Sequence, residues 1–193
     1  MRKFLPWIIA GAVVLFGYFY FKGINNTAVT LDQDVKESWG NVQTSYQRRN
    51  DLIGNLVKTV KGAADFEKST LEAVITARSK ATAVTIDPTN ITPEQLAQFN
   101  QAQSGVSSAL SRLLVTVEQY PDLKANQNFL KLQDELASTE NQILTARTRF
   151  NESVEAYNGY VLSQPRNLFL GKYKEKAYFK AVEGAEKPVE VKF

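Results

Sequence analysis

Neither cysteine nor histidine occurs in this 193-residue chain. Without cysteine there is no disulfide, no zinc-thiolate centre and no thiol nucleophile. Without histidine there is no Ser-His or Cys-His pair and no imidazole metal ligand. Catalysis would have to rest on carboxylates, lysine, tyrosine or serine. Glu140, Glu152 and Glu155 share one helical stretch, but no pair stands in a setting that would raise a pKa. A glycine-rich phosphate loop, a nucleophile elbow and a basic RNA-binding tract are all missing. The expectation is a protein that is not an enzyme, with no cofactor, no metal and no nucleic acid partner. Zero cysteine is compatible with either face of a membrane.

Charge is missing from Phe4 to Phe21, and Arg2 and Lys3 on one side and Lys22 on the other frame that run. At about 1.5 Å per residue it spans roughly 27 Å as a helix, close to the ~30 Å hydrocarbon core of a bilayer. Trp7 lies near one end, and Tyr18 and Tyr20 near the other, where amphipathic rings favour the headgroup region. The competing reading is a cleaved signal peptide, which needs a small-residue processing site after the apolar stretch. The stretch ends instead on the bulky run Tyr18-Phe19-Tyr20-Phe21-Lys22, and Ala10-Gly11-Ala12 come too early. An uncleaved single-pass transmembrane helix over 4–21 is therefore favoured. Arg2, Lys3 and the amino group outweigh Lys22, so the positive-inside rule places residues 1–3 in the cytoplasm and the soluble domain outside it. The same flanks hold the whole formal net charge of +3. Three of the 23 basic residues lie there and no acid does, which leaves 20 basic and 20 acidic residues from Gly23 onward. The domain behind the anchor is neutral.

After a linker over 22–29, residues 30–165 read as an antiparallel bundle of long helices. Leu31, Val35, Trp39, Val42, Tyr46, Ile53, Leu56 and Val60 recur at intervals of three, four and seven, the stripe of an amphipathic helix. Thr30 is the expected N-cap, with Gln33 completing a capping box. Gly40 and Gly54 cost about 1 kcal/mol each relative to alanine inside a helix and require a reason, such as close packing or a bend. Gly62 marks the end or a break. A second helix is expected from about Asp65 to Val84, with Leu71, Val74, Ile75 and Ala81 facing inward. Thr92-Pro93-Glu94-Gln95 supplies an N-cap, a proline at the first helical position and a glutamine at the third, the clearest helix start in the chain. That third helix carries Leu96, Phe99, Val106, Leu110, Leu113, Leu114 and Val117 and stops at Tyr120-Pro121. In the fourth, Phe129, Leu132, Leu136, Ile143, Phe150, Val154, Tyr157 and Val161 keep near-heptad spacing, and Pro165 closes it. Strand signals are nearly absent before that point. The fold class is all-α, four-helix in type, with the first and fourth helices as a long hairpin.

Residues 166–193 form a C-terminal arm of different character, aromatic and basic around Phe169 to Tyr173 and Ala177 to Phe179. Val189-Glu190-Val191-Lys192-Phe193 alternates as a short strand or extended peptide would. Two placements are open: packing back onto its own bundle, which is favoured, or reaching a neighbouring subunit. Arg48-Arg49-Asn50-Asp51 invites a reading as a carboxylate clamp, against a favoured structural ion pair with Glu140 or Asp134. The candidate polar interaction cluster is Arg49, Asp51, Asn55, Glu140, Asn141 and Arg147. Asparagine is frequent in the helices despite its poor propensity, at Asn41, Asn55, Asn126, Asn128, Asn141, Asn151 and Asn158, joined by Gln43. Facing inward, such residues set register through paired hydrogen bonds, or mark a homo-oligomer contact.

Glu37-Ser38-Trp39-Gly40-Asn41-Val42, the run Arg48-Arg49-Asn50-Asp51-Leu52-Ile53-Gly54-Asn55-Leu56-Val57-Lys58-Thr59-Val60-Lys61-Gly62, and the block from Tyr120 to Phe129 closely resemble the LemA family. Leu132 to Leu136, Thr139-Glu140-Asn141, Ala146-Arg147 and Tyr157-Asn158 continue the resemblance. Two departures are Gly54, where the family usually has proline after Asp-Leu-Ile, and Lys180, where an acid commonly follows the Tyr-Phe of the tail. The resemblance implies a bacterial single-pass inner-membrane protein with a helical-bundle domain and no established enzymatic activity. It also implies links to membrane-associated assembly and stress, relatives in magnetosome membrane formation, and gene neighbours encoding TPM-domain proteins or a membrane metalloprotease. The expected function is a non-catalytic scaffold or adaptor that self-associates as a homo-oligomer or binds other envelope proteins. The alternative is an envelope sensor accepting a small ligand or peptide between its helices.

Overall fold

In the computed structural model, which describes residues 5–62 and 66–180 with side chains from residue 7, the chain is all-α. Its helices are α1 (Leu5–Lys61), α2 (Lys68–Ala83), α3 (Pro93–Val117), α4 (Pro121–Lys124) and α5 (Gln127–Val161), followed by one 3-10 turn at Arg166–Leu168. No strand occurs among the described residues. The alternating segment 189–193 lies outside them.

The first difference from expectation is at residues 22–29, which are helix and not linker. Thr30 is no cap: its hydroxyl donates back to the Asn26 carbonyl at 3.2 Å, and Thr27 does the same to Gly23 at 3.1 Å. Gly23, Asn25 and Asn26 are weak helix formers, but Ile24 and Ala28 are buried in the core, so packing overrides local propensity. The apolar N-terminal run and the bundle therefore share one 57-residue helix, about 85 Å long. It ends as predicted, with the Gly62 N–H on the carbonyls of Lys58 and Thr59, while Lys58 and Lys61 favour the negative end of its dipole.

The sides of α1 change along its length. From Trp7 to Phe21 the large apolar side chains stand exposed, and α1 is one helix long and apolar enough to cross a membrane. From Ile24 to Val60 its stripe is buried. There α5 runs antiparallel to it, pairing Tyr160 with Ile24, Phe150 with Trp39 and Glu140 with Arg49. The α2–α3 hairpin packs alongside through the loop 84–92, whose Ile86 and Ile91 are buried. Thr92 is the predicted N-cap and makes a full capping box, accepting from Gln95 N at 3.3 Å while Gln95 Oε1 accepts from Thr92 N at 3.1 Å. α2 starts at Lys68, and Ile75, expected to face inward, is 51 % exposed. α3 ends at Val117, and Pro121 opens the separate turn α4. Asn126 proves to be the N-cap of α5, accepting from the backbone of Asn128 and Phe129.

The interior is two apolar clusters. The one nearer the apolar N-terminal run centres on Trp39, Phe99, Phe150 and Phe179, and the distal one on Ile53, Leu56, Leu113 and Phe129. Between them α1, α3 and α5 contribute the buried polar residues Arg49, Asn50, Gln103 and Thr139.

Candidate functional site

The described part of the arm lies on its own bundle, extended and antiparallel to α5. Asn158 Nδ2 donates to Lys176 O at 2.8 Å and Asn158 Oδ1 accepts from Lys176 N at 2.9 Å. Asn151 makes the same pair of bonds with Phe179, both 2.9 Å. The match is geometric: seven residues of helix rise about 10 Å, and three residues of extended chain also cover about 10 Å. Each carboxamide thus serves as a strand neighbour would. These asparagines set register, as expected of inward polar residues, but between helix and arm instead of between helices.

Three side chains of the described arm are buried, and one of them, Leu170, joins the cluster around Trp39. Phe179 packs among Trp39, Phe99 and Phe150. Lys176, only 3 % exposed, donates to Asp32 at 2.7 Å and to the Pro88 carbonyl at 3.0 Å, above the Tyr157 ring. Burial pushes the Asp32 carboxyl up, but the hydrogen bonds and charges of Lys176 and Lys36 outweigh it and hold it below its ordinary value. Burial, the Asp32 charge and Tyr173 push the Tyr157 hydroxyl up to about 12.

Beyond the arm, α3 and α5 stand apart over the polar layer and leave a cleft of about 960 Å³. Tyr46 and Arg49 of α1 line it together with Gln103, Glu140 and Arg147, and arm residues 175–178 and 180 contribute to its wall. Arg49 is 2 % exposed. Its Nη1 donates to Glu140 Oε1 at 3.0 Å and to Ser107 Oγ at 3.4 Å, its Nη2 to Gln103 Oε1, and its plane lies 4.9 Å from the Tyr46 ring. The Arg49 Nε is buried with no hydrogen-bond partner. Glu140 is 47 % exposed at its side chain, so this ion pair keeps a solvent-facing carboxylate that a ligand could engage. Burial raises the Tyr46 pKa, with the Glu140 charge adding and the Arg147 and Arg49 charges opposing, so the phenol stays neutral at physiological pH. Arg147 lies 4.5 Å over the Phe179 ring and donates to Lys180 O at 3.4 Å.

Of the six residues proposed from the sequence, the structure brings Arg49, Glu140 and Arg147 together and separates the other three. Asp51 is exposed and accepts from Gln47 at 2.9 Å. Asn55 and Asn141 are exposed and line shallow surface hollows apart from this cleft. A few positions along α1, or a single one along α5, turn a side chain to a different face, which sequence proximity to Arg49 and Glu140 conceals. The residues missed were Asp32, Gln103 and Lys176. No sequence signal singled out Lys176, one of four lysines among the aromatic residues from 172 to 180. Among the described residues no three Asp or Glu side chains gather as a metal site.

With this architecture in view, relatives are informative. Magnetosome protein MamQ 2 of Paramagnetospirillum magneticum is 27 % identical over 183 residues, covering 85 % of this chain and 67 % of its own length. Magnetosome protein MamQ of Magnetospirillum gryphiswaldense is 26 % identical over the same shares. Protein LemA of Metamycoplasma hominis is 25 % identical over 144 residues, 75 % of this chain and 62 % of the relative. The chain thus spans about two thirds of the length of these relatives. The LemA family profile matches residues 38–193, from the residue before Trp39 through the arm, and the chain belongs to the LemA family.

Proposed function

We propose that this protein is a non-catalytic, single-pass membrane-anchored scaffold or adaptor of the bacterial envelope. The observation that carries the reading is the unbroken α1, bare and apolar from Trp7 to Phe21 and buried along one stripe from Ile24 to Val60. A helix shared in this way holds the bundle upright at a fixed height over the bilayer, where identical or different envelope proteins meet it. The charge flanks put the N-terminus in the cytoplasm and the bundle on the far face of the inner membrane. Self-association, and docking of envelope partners such as TPM-domain proteins or a membrane protease, are the modes this arrangement serves. Family membership and the magnetosome relatives support membrane association. In vivo crosslinking from Leu144, exposed on α5, followed by mass spectrometry and mass photometry of the solubilised protein, tests it. A strict monomer that captures no envelope protein would sink the reading.

The cleft favours a second reading, a binding module for a small ligand or peptide. Its walls combine apolar side chains with the Arg49–Glu140 pair and Arg147, the mixture that typifies ligand sites. Thermal-shift titration of the solubilised protein with an acidic peptide panel should give a saturable rise that Arg147→Ala abolishes. No rise with any member would remove this reading and leave the first intact.

A further inference from the structure

We infer that the turn joining α5 to the arm is a second membrane contact, seated in the headgroup region of anionic lipids beside the anchor. The inference rests on the membrane-anchored reading of α1. α5 ends level with the start of the bundle: the Tyr160 hydroxyl donates to the Ile24 carbonyl at 3.2 Å, and Tyr173 Oη to Asn25 Oδ1 at 3.3 Å. The intervening turn therefore lies at the height where the apolar run of α1 stops. Phe169 touches that run directly, edge-on to Phe21 with ring centroids 4.5 Å apart.

What the turn presents there suits a bilayer surface and not water. Leu168 is 76 % exposed, Phe169 50 % and Leu162 49 %, three large apolar side chains within eight residues. Their apolar surface continues that of Tyr18 to Phe21 without a gap at the Phe21–Phe169 contact. Around them the charge has one sign. Lys22, Arg166, Lys172 and Lys174 belong to the two segments that meet here, and residues 23–31 and 162–174 contain no acid. Apart from Arg166, Lys172 and Lys174, the domain from Gly23 onward holds 17 basic and 20 acidic residues, so the cationic excess is confined to the end that faces the membrane. Arg166 stacks 4.5 Å over Tyr160 and Lys172 lies 4.9 Å from the Tyr173 ring, which positions both cations beside the apolar residues. Apolar side chains that insert to the acyl boundary, ringed by basic residues that meet anionic headgroups, form an interfacial binding element.

The absence of cysteine makes the test direct. Leu168→Cys, Leu144→Cys and Phe16→Cys, each labelled with an environment-sensitive fluorophore, are compared in the full chain reconstituted into vesicles. One bilayer contains phosphatidylglycerol with phosphatidylethanolamine and the other is phosphatidylcholine alone. In the anionic bilayer the label at 168 should be blue-shifted and several-fold less quenched by aqueous iodide than the label at 144. Its shielding should fall in phosphatidylcholine, and in the combined Arg166→Gln, Lys172→Gln, Lys174→Gln variant, while the label at 16 stays shielded throughout. Equal quenching at 168 and 144 with 16 shielded would overturn the second contact and leave the anchor standing. Quenching at 16 as strong as at 144 would overturn the anchor and this inference together. Equal shielding at 168 in both bilayers would overturn the role of anionic lipid.

Discussion

Lys176 and Arg49 are both cations almost out of reach of water, and the protein buries them in opposite ways. Lys176 meets a carboxylate that is itself mostly covered, Asp32 at 17 % side-chain exposure, and adds a carbonyl and an aromatic face. Arg49 meets Glu140, nearly half exposed, keeps an unpaired Nε and lines an open cleft. The exposure of the partner, more than that of the cation, separates a pair that fastens the structure from one that a ligand could share. Lys176 fastens the arm, whereas Arg49 lines the cleft.

Removing the carboxylate from each pair probes that difference most strongly. Asp32→Ala strands a buried ammonium and should cost about 3 kcal/mol in urea unfolding of the solubilised protein. Glu140→Ala leaves Arg49 with Gln103 and Ser107 and a partner group already in solvent, so about 1 kcal/mol or less is expected. Equal losses would erase the distinction.

Acid should act on the first pair selectively. The folded Asp32 carboxyl lies below its ordinary value, so its contribution is fully present above the unfolded pKa of about 3.9. That contribution is lost as pH falls through the folded value. Stability and hydrogen-exchange protection of the arm should thus hold from neutral pH down to about 4, then fall, and Asp32→Asn should flatten the profile. At the other extreme Tyr157, pushed up to about 12, contributes stability below about pH 10 that is lost as pH rises toward its folded value. Tyr157→Phe removes that upper limb. A profile unchanged by either substitution would show that the groups around Lys176 do not govern arm docking.

Next in size are the two carboxamides. Asn158→Ala leaves the backbone N–H and C=O of buried Lys176 without partners and should cost about 2 kcal/mol. Asn151→Ala, on a less buried pair, should cost about 1 kcal/mol. Faster amide exchange confined to arm residues 170–180 would mark the loss as undocking. Exchange spread through the Arg49 layer would instead couple the two regions.

Periodicity made most of the fold legible. Residues 35–60, 96–117 and 129–161 repeat at helical intervals because one face of each helix must leave water, and the Thr92 box is encoded in four adjacent residues. Local signals misled where distant packing decides. Gly23, Asn25, Asn26 and Thr27 look like a linker until α5 and the arm cover Ile24 and Ala28. Arg49 and Glu140 could be paired because antiparallel helices fix their height. Asp32 and Lys176 could not, since they lie near opposite ends of the sequence and the arm has no period. Asn151 and Asn158 stood out as unusual, but their partners are backbone atoms, which carry no sequence signature.

The smallest effects test whether α1 is equally covered in the two regions. Nothing lies within 4 Å of a Cβ placed on Gly40, beside the Trp39 core. Gly40→Ala therefore gains only helix propensity and should stabilise by about 0.5 to 1 kcal/mol. A Cβ on Gly54, in the distal region, would meet the Arg78 guanidinium of α2 at 3.4 Å. That group ends a flexible side chain and can give way, but its Nε is already buried without a partner. Displacing it offsets part of the propensity gain, so Gly54→Ala should fall between neutral and about 0.5 kcal/mol stabilising. The order matters more than either value. If Gly54→Ala proved the more stabilising, Arg78 would not be seated on α1, and the distal half of the helix would be as open as the half beside the arm.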